Sequence, residues 1–230
     1  MRNSGLVKND IQNVLKALKT ISGIDAQSFM EEVGGIDTSD AGFISYDFEM
    51  HFKMTTPPDN TSPSIPIDVK LKMEVNEDLR NSDETLGGKY EMQLLVTGQE
   101  GEKHYMCSWH LDLDPGIDRR YMHPRYHLTY GGKNMRDEIK HDKDSFGQLM
   151  LMATPRIPTA PLDGILAIDF VLNHFYKRDA ISDVMNNNRY KEAVKASQTR
   201  LWEPYYRSIC EHFSGGALAQ KGTQYVPNLK

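Results

Sequence analysis

The chain has 230 residues, 39% hydrophobic and 26% charged, with a formal net charge of -5. That balance belongs to a globular protein with one sizeable core, not to a disordered or fibrous chain. It also argues against a general nucleic-acid coat, because neutralising phosphates needs surplus lysine and arginine; at most a local basic patch remains.

Two cysteines, Cys107 and Cys210, give neither a disulfide framework nor a four-thiolate zinc site, and each reads as a small buried hydrophobe. The first twenty residues hold no apolar core of signal-peptide length, and no later run approaches the roughly 20 apolar residues of a membrane span. The expectation is a soluble, reducing, cytoplasmic protein with no membrane contact.

The first predicted element is an amphipathic helix from about Asp10 to Ile21, with Ile11, Val14, Leu15, Leu18 and Ile21 at helical spacing and Gly23 placed to end it. A short helix around Ala26–Val33 stops at Gly34-Gly35. The period then changes to two. Tyr46, Phe48, Met50, Phe52 and Met54 alternate with Asp47, Glu49, His51 and Lys53, and Ile67, Val69, Leu71, Met73 and Val75 alternate with Asp68, Lys70, Lys72 and Glu74. The proline-rich run TTPPDNTSPSIP joins these two strands.

KYEMQLLV is a third strand, and GQEG is a hairpin turn into a fourth, HYMCSWHLDLD. RYHLTY is a fifth strand, closed by Gly131-Gly132. Consecutive alternating strands imply an antiparallel meander with one face on a core.

The last third reads as helical. Leu162–Tyr176, with Pro161 at its first turn, is apolar on nearly every side and so should be buried on more than one. Core burial is the expectation for it, and a face against another protein the alternative. A helix from about Arg189 and another begun near Pro204 follow, with Trp202, Tyr206, Ile209 and Phe213 as packing residues rather than a base-stacking platform. The fold class is α+β: an N-terminal helix, an antiparallel meander of about five strands and C-terminal helices. As one domain over 1–230 it divides into a helical lead-in (1–40), the sheet (41–132), helices (133–213) and a loosely ordered tail (214–230).

No phosphate-binding loop, nucleophile elbow or dinucleotide fingerprint is present. The chemistry concentrates in SWHLDLDPGIDRRYMHPRYHLTYGG. Side chains two apart on a strand share a face, so His110, Asp112 and Asp114 form one row, about 7 Å between neighbours. His123, Arg125, His127 and Thr129 form a second. If the two strands are neighbours, these rows lie on one surface.

Such a surface offers His110, Asp112, His123 and His127 for acid–base catalysis, and His110, Asp112, Asp114 and His127 as ligands for a divalent metal. The alternative is a solvated sheet face with ordinary His–Asp pairs, and DLDPG is good turn chemistry in itself. Asp169 interrupts an apolar stripe, where a bare carboxylate is costly, and Arg156 in PRIP is its expected structural partner. Lys133, in GGKN, is a weaker candidate for meeting an anion through a glycine turn.

The set W-H-L-D, H-P-x-x-H-L-x-x-G-G and P-R-I-P followed by L-A-I-D-F-V-L-N-H-F, over about 105–178, resembles a prokaryotic domain family associated with mobile-element and defence-type gene neighbourhoods. That resemblance implies a bacterial or archaeal origin and no particular activity. The order helix, meander, His123-Pro124 turn, helix also resembles ubiquitin-conjugating enzymes. No cysteine follows the turn where their thioester nucleophile belongs, so this resemblance implies a binding scaffold.

Two functions are therefore expected. The first is a subunit or protein partner in a multi-protein system, antiviral or mobile-element defence among them. The second is a metal-assisted hydrolase, a nuclease or phosphodiesterase, using His110, Asp112 and His127.

Overall fold

The computed structural model describes residues 3–114, 123–131, 135 and 156–227. The Asp114-Pro115-Gly116 turn beyond Asp114, the Lys133 turn and the helical reading of 133–155 lie outside the described residues, apart from Met135.

Helix α1 (Ser4–Leu18) starts earlier than its apolar stripe, because the Asn3 side chain accepts from the Gly5 N–H at 2.8 Å and caps it there. It is followed by β1 (Ile24–Asp25), α2 (Gln27–Gly35), β2 (Phe43–Met54), β3 (Ile67–Asp78), β4 (Glu91–Glu100), β5 (Lys103–Leu113), β6 (Tyr126–Tyr130) and β7 (Ile157–Pro158). Then come α3 (Gly164–Phe175), α4 (Ser182–Asn186), α5 (Asn188–Ser214) and α6 (Ala219–Tyr225).

The strands form one antiparallel sheet in the order β1-β2-β3-β4-β5-β6-β7. The five strands expected from alternation are β2 to β6. The sheet is therefore larger than about five strands and exceeds the 41–132 range at both edges. Each extra strand has two residues, too few to show a period, and only pairing with β2 or β6 makes it a strand.

The inward parity of β2, β3 and β4 is buried without a break from Ile44 to Met54, Ile67 to Val75 and Met92 to Val96. It packs with α1, α3 and α5 in one core. Helix α3 is internal to that core: Gly164 through Ile168, Val171 and Leu172 are all buried. Its N-cap is Asp163, whose side chain accepts from the Leu166 N–H at 2.8 Å, rather than the expected proline turn.

Three expectations in the C-terminal third are corrected. Helix α5 runs unbroken through Pro204 for 27 residues. The proline forfeits one backbone hydrogen bond, and tertiary packing on α1, α3 and α6 outweighs that loss. The tail beyond 214 is not loose: α6 docks on α5, and Tyr225 is buried with its ring 4.8 Å from Tyr205 and 5.8 Å from Tyr126. The approach is close enough that a Cβ on Gly222 would lie 2.5 Å from the Ser208 carbonyl. Tyr206 and Phe213 do not pack; they are 52% and 73% exposed.

A buried ion cluster ties sheet to helices. Glu77 takes the inward position after Val75 on β3, and its Oε2 accepts from Arg200 Nε at 2.7 Å. Arg200 also pairs with Asp163, which accepts from Ser197 Oγ at 2.7 Å. All three charged groups are buried.

Candidate functional site

β5 and β6 pair with Trp109 opposite Tyr130 and Asp112 opposite His127. Leu111 and Tyr126 point to the core. The opposite parity therefore carries two cross-strand rows. One runs Glu91, Asp112, His127, Pro158 across β4 to β7, and the other runs Gln93, His110, Thr129. Arg156 immediately precedes β7, whose Ile157 pairs with Leu128 of β6. The two rows expected from the sequence do lie on one surface.

That surface is not an open sheet face. His127, Thr129 and Ser108 are buried, and the His110 and His123 side chains are mostly covered, while the Asp112 side chain is 34% exposed. Asp112 Oδ2 lies 3.1 Å from His110 Nε2 and 3.8 Å from His127 Nε2. His123 Nδ1 lies 3.6 Å from Asp114 Oδ2, and its ring centroid is 5.8 Å from that of His127.

The two imidazoles flanking Asp112 are set in opposite senses. His127 Nδ1 is 3.1 Å from the Pro124 carbonyl, which can only accept, so Nδ1 carries the proton and Nε2 is left as the basic nitrogen. Burial lowers the His127 pKa below its ordinary value. The hydrogen bond to Asp112 raises that of His110, against an opposing effect of burial. His110 Nδ1 is buried and has no hydrogen-bond partner among the described residues. His51, on the same sheet face, makes the contrast: Asp68 at 2.9 Å and Glu49 at 3.1 Å occupy both of its nitrogens.

The expected metal set does not assemble. Asp114 faces His123 instead of joining His110, Asp112 and His127, and among the described residues no three His, Cys, Asp or Glu groups come together as a metal ion requires. Arg125 is not in the polar row; it donates to Glu84 at 2.9 Å and to the Asp114 carbonyl at 2.7 Å, bracing the start of β6.

The Arg156–Asp169 clamp is also corrected. Asp169 Oδ1 accepts from the Tyr190 hydroxyl at 2.8 Å, and burial raises its pKa. Arg156 instead lies close enough to His110 and His127 for its charge to oppose the protonation of both, adding to burial at His127 and working against Asp112 at His110. Sequence reading placed Thr129 in the polar row without giving it a role, and missed Arg156 as a site member. The signal for Arg156 was the extended PRIP run, which could pair with a strand edge.

Cys107 is half-buried and Cys210 is exposed, so the second is not the buried hydrophobe expected. No described helix is long and apolar enough to cross a membrane. No family model, curated protein or solved structure matches the chain.

Proposed function

We propose that the chain is an acid–base hydrolase or group-transfer enzyme, in which His127, held by the Pro124 carbonyl, is the general base and His110, oriented by Asp112, the general acid. The observation that carries this reading is the opposite protonation bias of two imidazoles on either side of one carboxylate, the arrangement that lets one site both take and give a proton near neutral pH. His127 Nε2 takes the proton of the attacking water or hydroxyl. His110 passes its unpartnered Nδ1 proton to the leaving group, and the exposed edge of Asp112 is where substrate enters. Nuclease or phosphodiesterase chemistry falls within this class.

The test combines imidazole ¹⁵N NMR across pH with turnover of p-nitrophenyl esters and bis(p-nitrophenyl) phosphate. The expected result is a His127 Nδ1–H tautomer titrating below 6.5 and a His110 titrating above it. His127→Gln and His110→Gln should each slow turnover by about 10²–10⁴-fold. Coincident titration of the two rings, or unchanged turnover in both variants, refutes the reading.

A second reading, a protein partner in a multi-protein system of the defence or mobile-element type, is favoured by a different observation. On the stripe Trp202, Tyr206, Ile209 and Phe213 of α5, Trp202 and Ile209 pack against the core, while Tyr206 and Phe213 stay exposed among the described residues. A partner that co-purifies with the wild-type chain should be lost from a Tyr206→Asp/Phe213→Asp variant of unchanged melting temperature; its retention counts against this reading. The free thiols of Cys107 and Cys210 fit a reducing, cytoplasmic location for either function.

A further inference from the structure

Six buried side-chain polar atoms lack a hydrogen-bond partner among the described residues, and three of them belong to β5, β6 and the residues leading into β6: His110 Nδ1, His123 Nε2 and Thr129 Oγ1. An unpartnered buried polar atom is costly, and three on neighbouring segments leave hydrogen-bonding capacity for a polar ligand. Thr129 is 2% exposed and stands opposite His110 on β5, next to Leu128, whose partner Ile157 follows Arg156. Arg156 makes no hydrogen bond or ion pair with any described residue, although it is only half-exposed.

The nearby carboxylates are already engaged. Asp112 accepts from His110, Asp114 faces His123, and Glu91 accepts from Gln93 Nε2 at 2.6 Å. What remains unsatisfied is a set of donors: an imidazole N–H, a hydroxyl and a guanidinium. They come from neighbouring strands, with Thr129 opposite His110 and Arg156 just ahead of the strand that pairs with β6. A guanidinium beside neutral donors suits a phosphoryl oxyanion, whose several non-bridging oxygens accept from more than one donor at once.

Resting on the acid–base reading above, we propose that this site holds the phosphoryl oxyanion of its substrate, with Arg156 and Thr129 as donors to the non-bridging oxygens, His110 Nδ1 turned to the leaving-group oxygen and His123 at the rim. Arg156 would neutralise charge on the non-bridging oxygens while His127 and His110 handle the protons of the attacking and leaving groups.

Calorimetric titration of the full chain with inorganic phosphate tests this, with sulfate and acetate as comparisons. Wild type should bind phosphate saturably, sulfate should compete, and acetate should compete at least tenfold less well. Arg156→Gln should weaken phosphate about tenfold or more, and Thr129→Val about threefold. Arg156→Lys, which keeps the charge but not the fork, should fall between.

His127→Gln should retain phosphate binding. No saturable binding by the wild type, or equal affinity in a folded Arg156→Gln, overturns the proposal. Absent phosphate binding with imidazoles that titrate apart overturns the oxyanion alone and leaves the acid–base pair standing. Phosphate binding with imidazoles that titrate together overturns the pair alone.

Discussion

Arg200→Met is the substitution whose cost the structure specifies most closely. The guanidinium donates to both Glu77 oxygens, at 2.7 and 3.3 Å, to Asp163, and to Ser197 Oγ at 3.3 Å, and no water-exposed surface is available to the carboxylates that would remain. Methionine fills much of the volume but leaves two buried carboxylates without a counter-ion. Breaking a buried pair from one side costs about 3–5 kcal/mol, a large share of the about 5–15 kcal/mol that holds a domain together. For a chain of 230 residues this is a fall in Tm of about 10 °C.

The loss should depend on pH in a fixed direction. Burial raises the Glu77 pKa above its ordinary 4.5, and Arg200 is the largest influence lowering it. A carboxyl whose folded pKa lies above its unfolded value costs stability as pH rises past the unfolded value. Without Arg200 that folded pKa climbs further, so the variant should lose most at pH 8 and progressively less toward pH 5, where Glu77 takes up a proton. Urea denaturation at the two pH values measures it. A destabilisation under about 1 kcal/mol, or one equal at both pH values, would refute the account of Arg200 as the counter-charge of this cluster. Adding Glu77→Gln to Arg200→Met should recover part of the loss, since one stranded charge is then removed.

Two further outcomes follow from the packing. Tyr190→Phe removes the hydroxyl that donates to Asp169 at 2.8 Å and should cost about 1–2 kcal/mol by denaturation while moving the Asp169 carboxyl further up its scale, since the bond it loses favoured the charged form. An unchanged Asp169 carboxyl titration by NMR would contradict the pairing. Tyr225→Ala empties the contact with Tyr205 and Tyr126 and should free α6, costing about 3 kcal/mol locally and exposing Lys221 to trypsin well below the global unfolding temperature. Wild-type cleavage rates would mean that α6 is held elsewhere.

Much of the candidate site was legible. Period-two alternation in SWHLDLD and RYHLTY already separates core residues from a polar row, and parity alone puts His110, Asp112 and His127 on one face. The sheet adjacency of β5 and β6, the burial of that face and the tautomer of His127 were not legible. The first two depend on pairing and packing between segments, and the third on the backbone path that brings the Pro124 carbonyl back to His127.

Arg156 is the clearest case. The apolar stripe around Asp169 suggested it as that carboxylate's partner, yet the pairing of β7 with β6 brings its charge near His110 and His127. Glu77 is the opposite lesson, since a charge at an inward strand position announces a buried counter-ion but does not say that Arg200, 123 residues away, supplies it.

By itself the sequence determined the local periods: five alternating strands, the amphipathic N-terminal helix, the apolar α3 and the polarity of each face. These follow from the geometry of one strand or one helix, which every stretch of chain carries within itself. The tertiary structure alone decided the two edge strands, the passage of α5 through Pro204, the docking of the tail and the partners of Arg156, Asp169 and Arg200. In each of these, burial and pairing free energy gathered from distant segments outweighed a weak local preference.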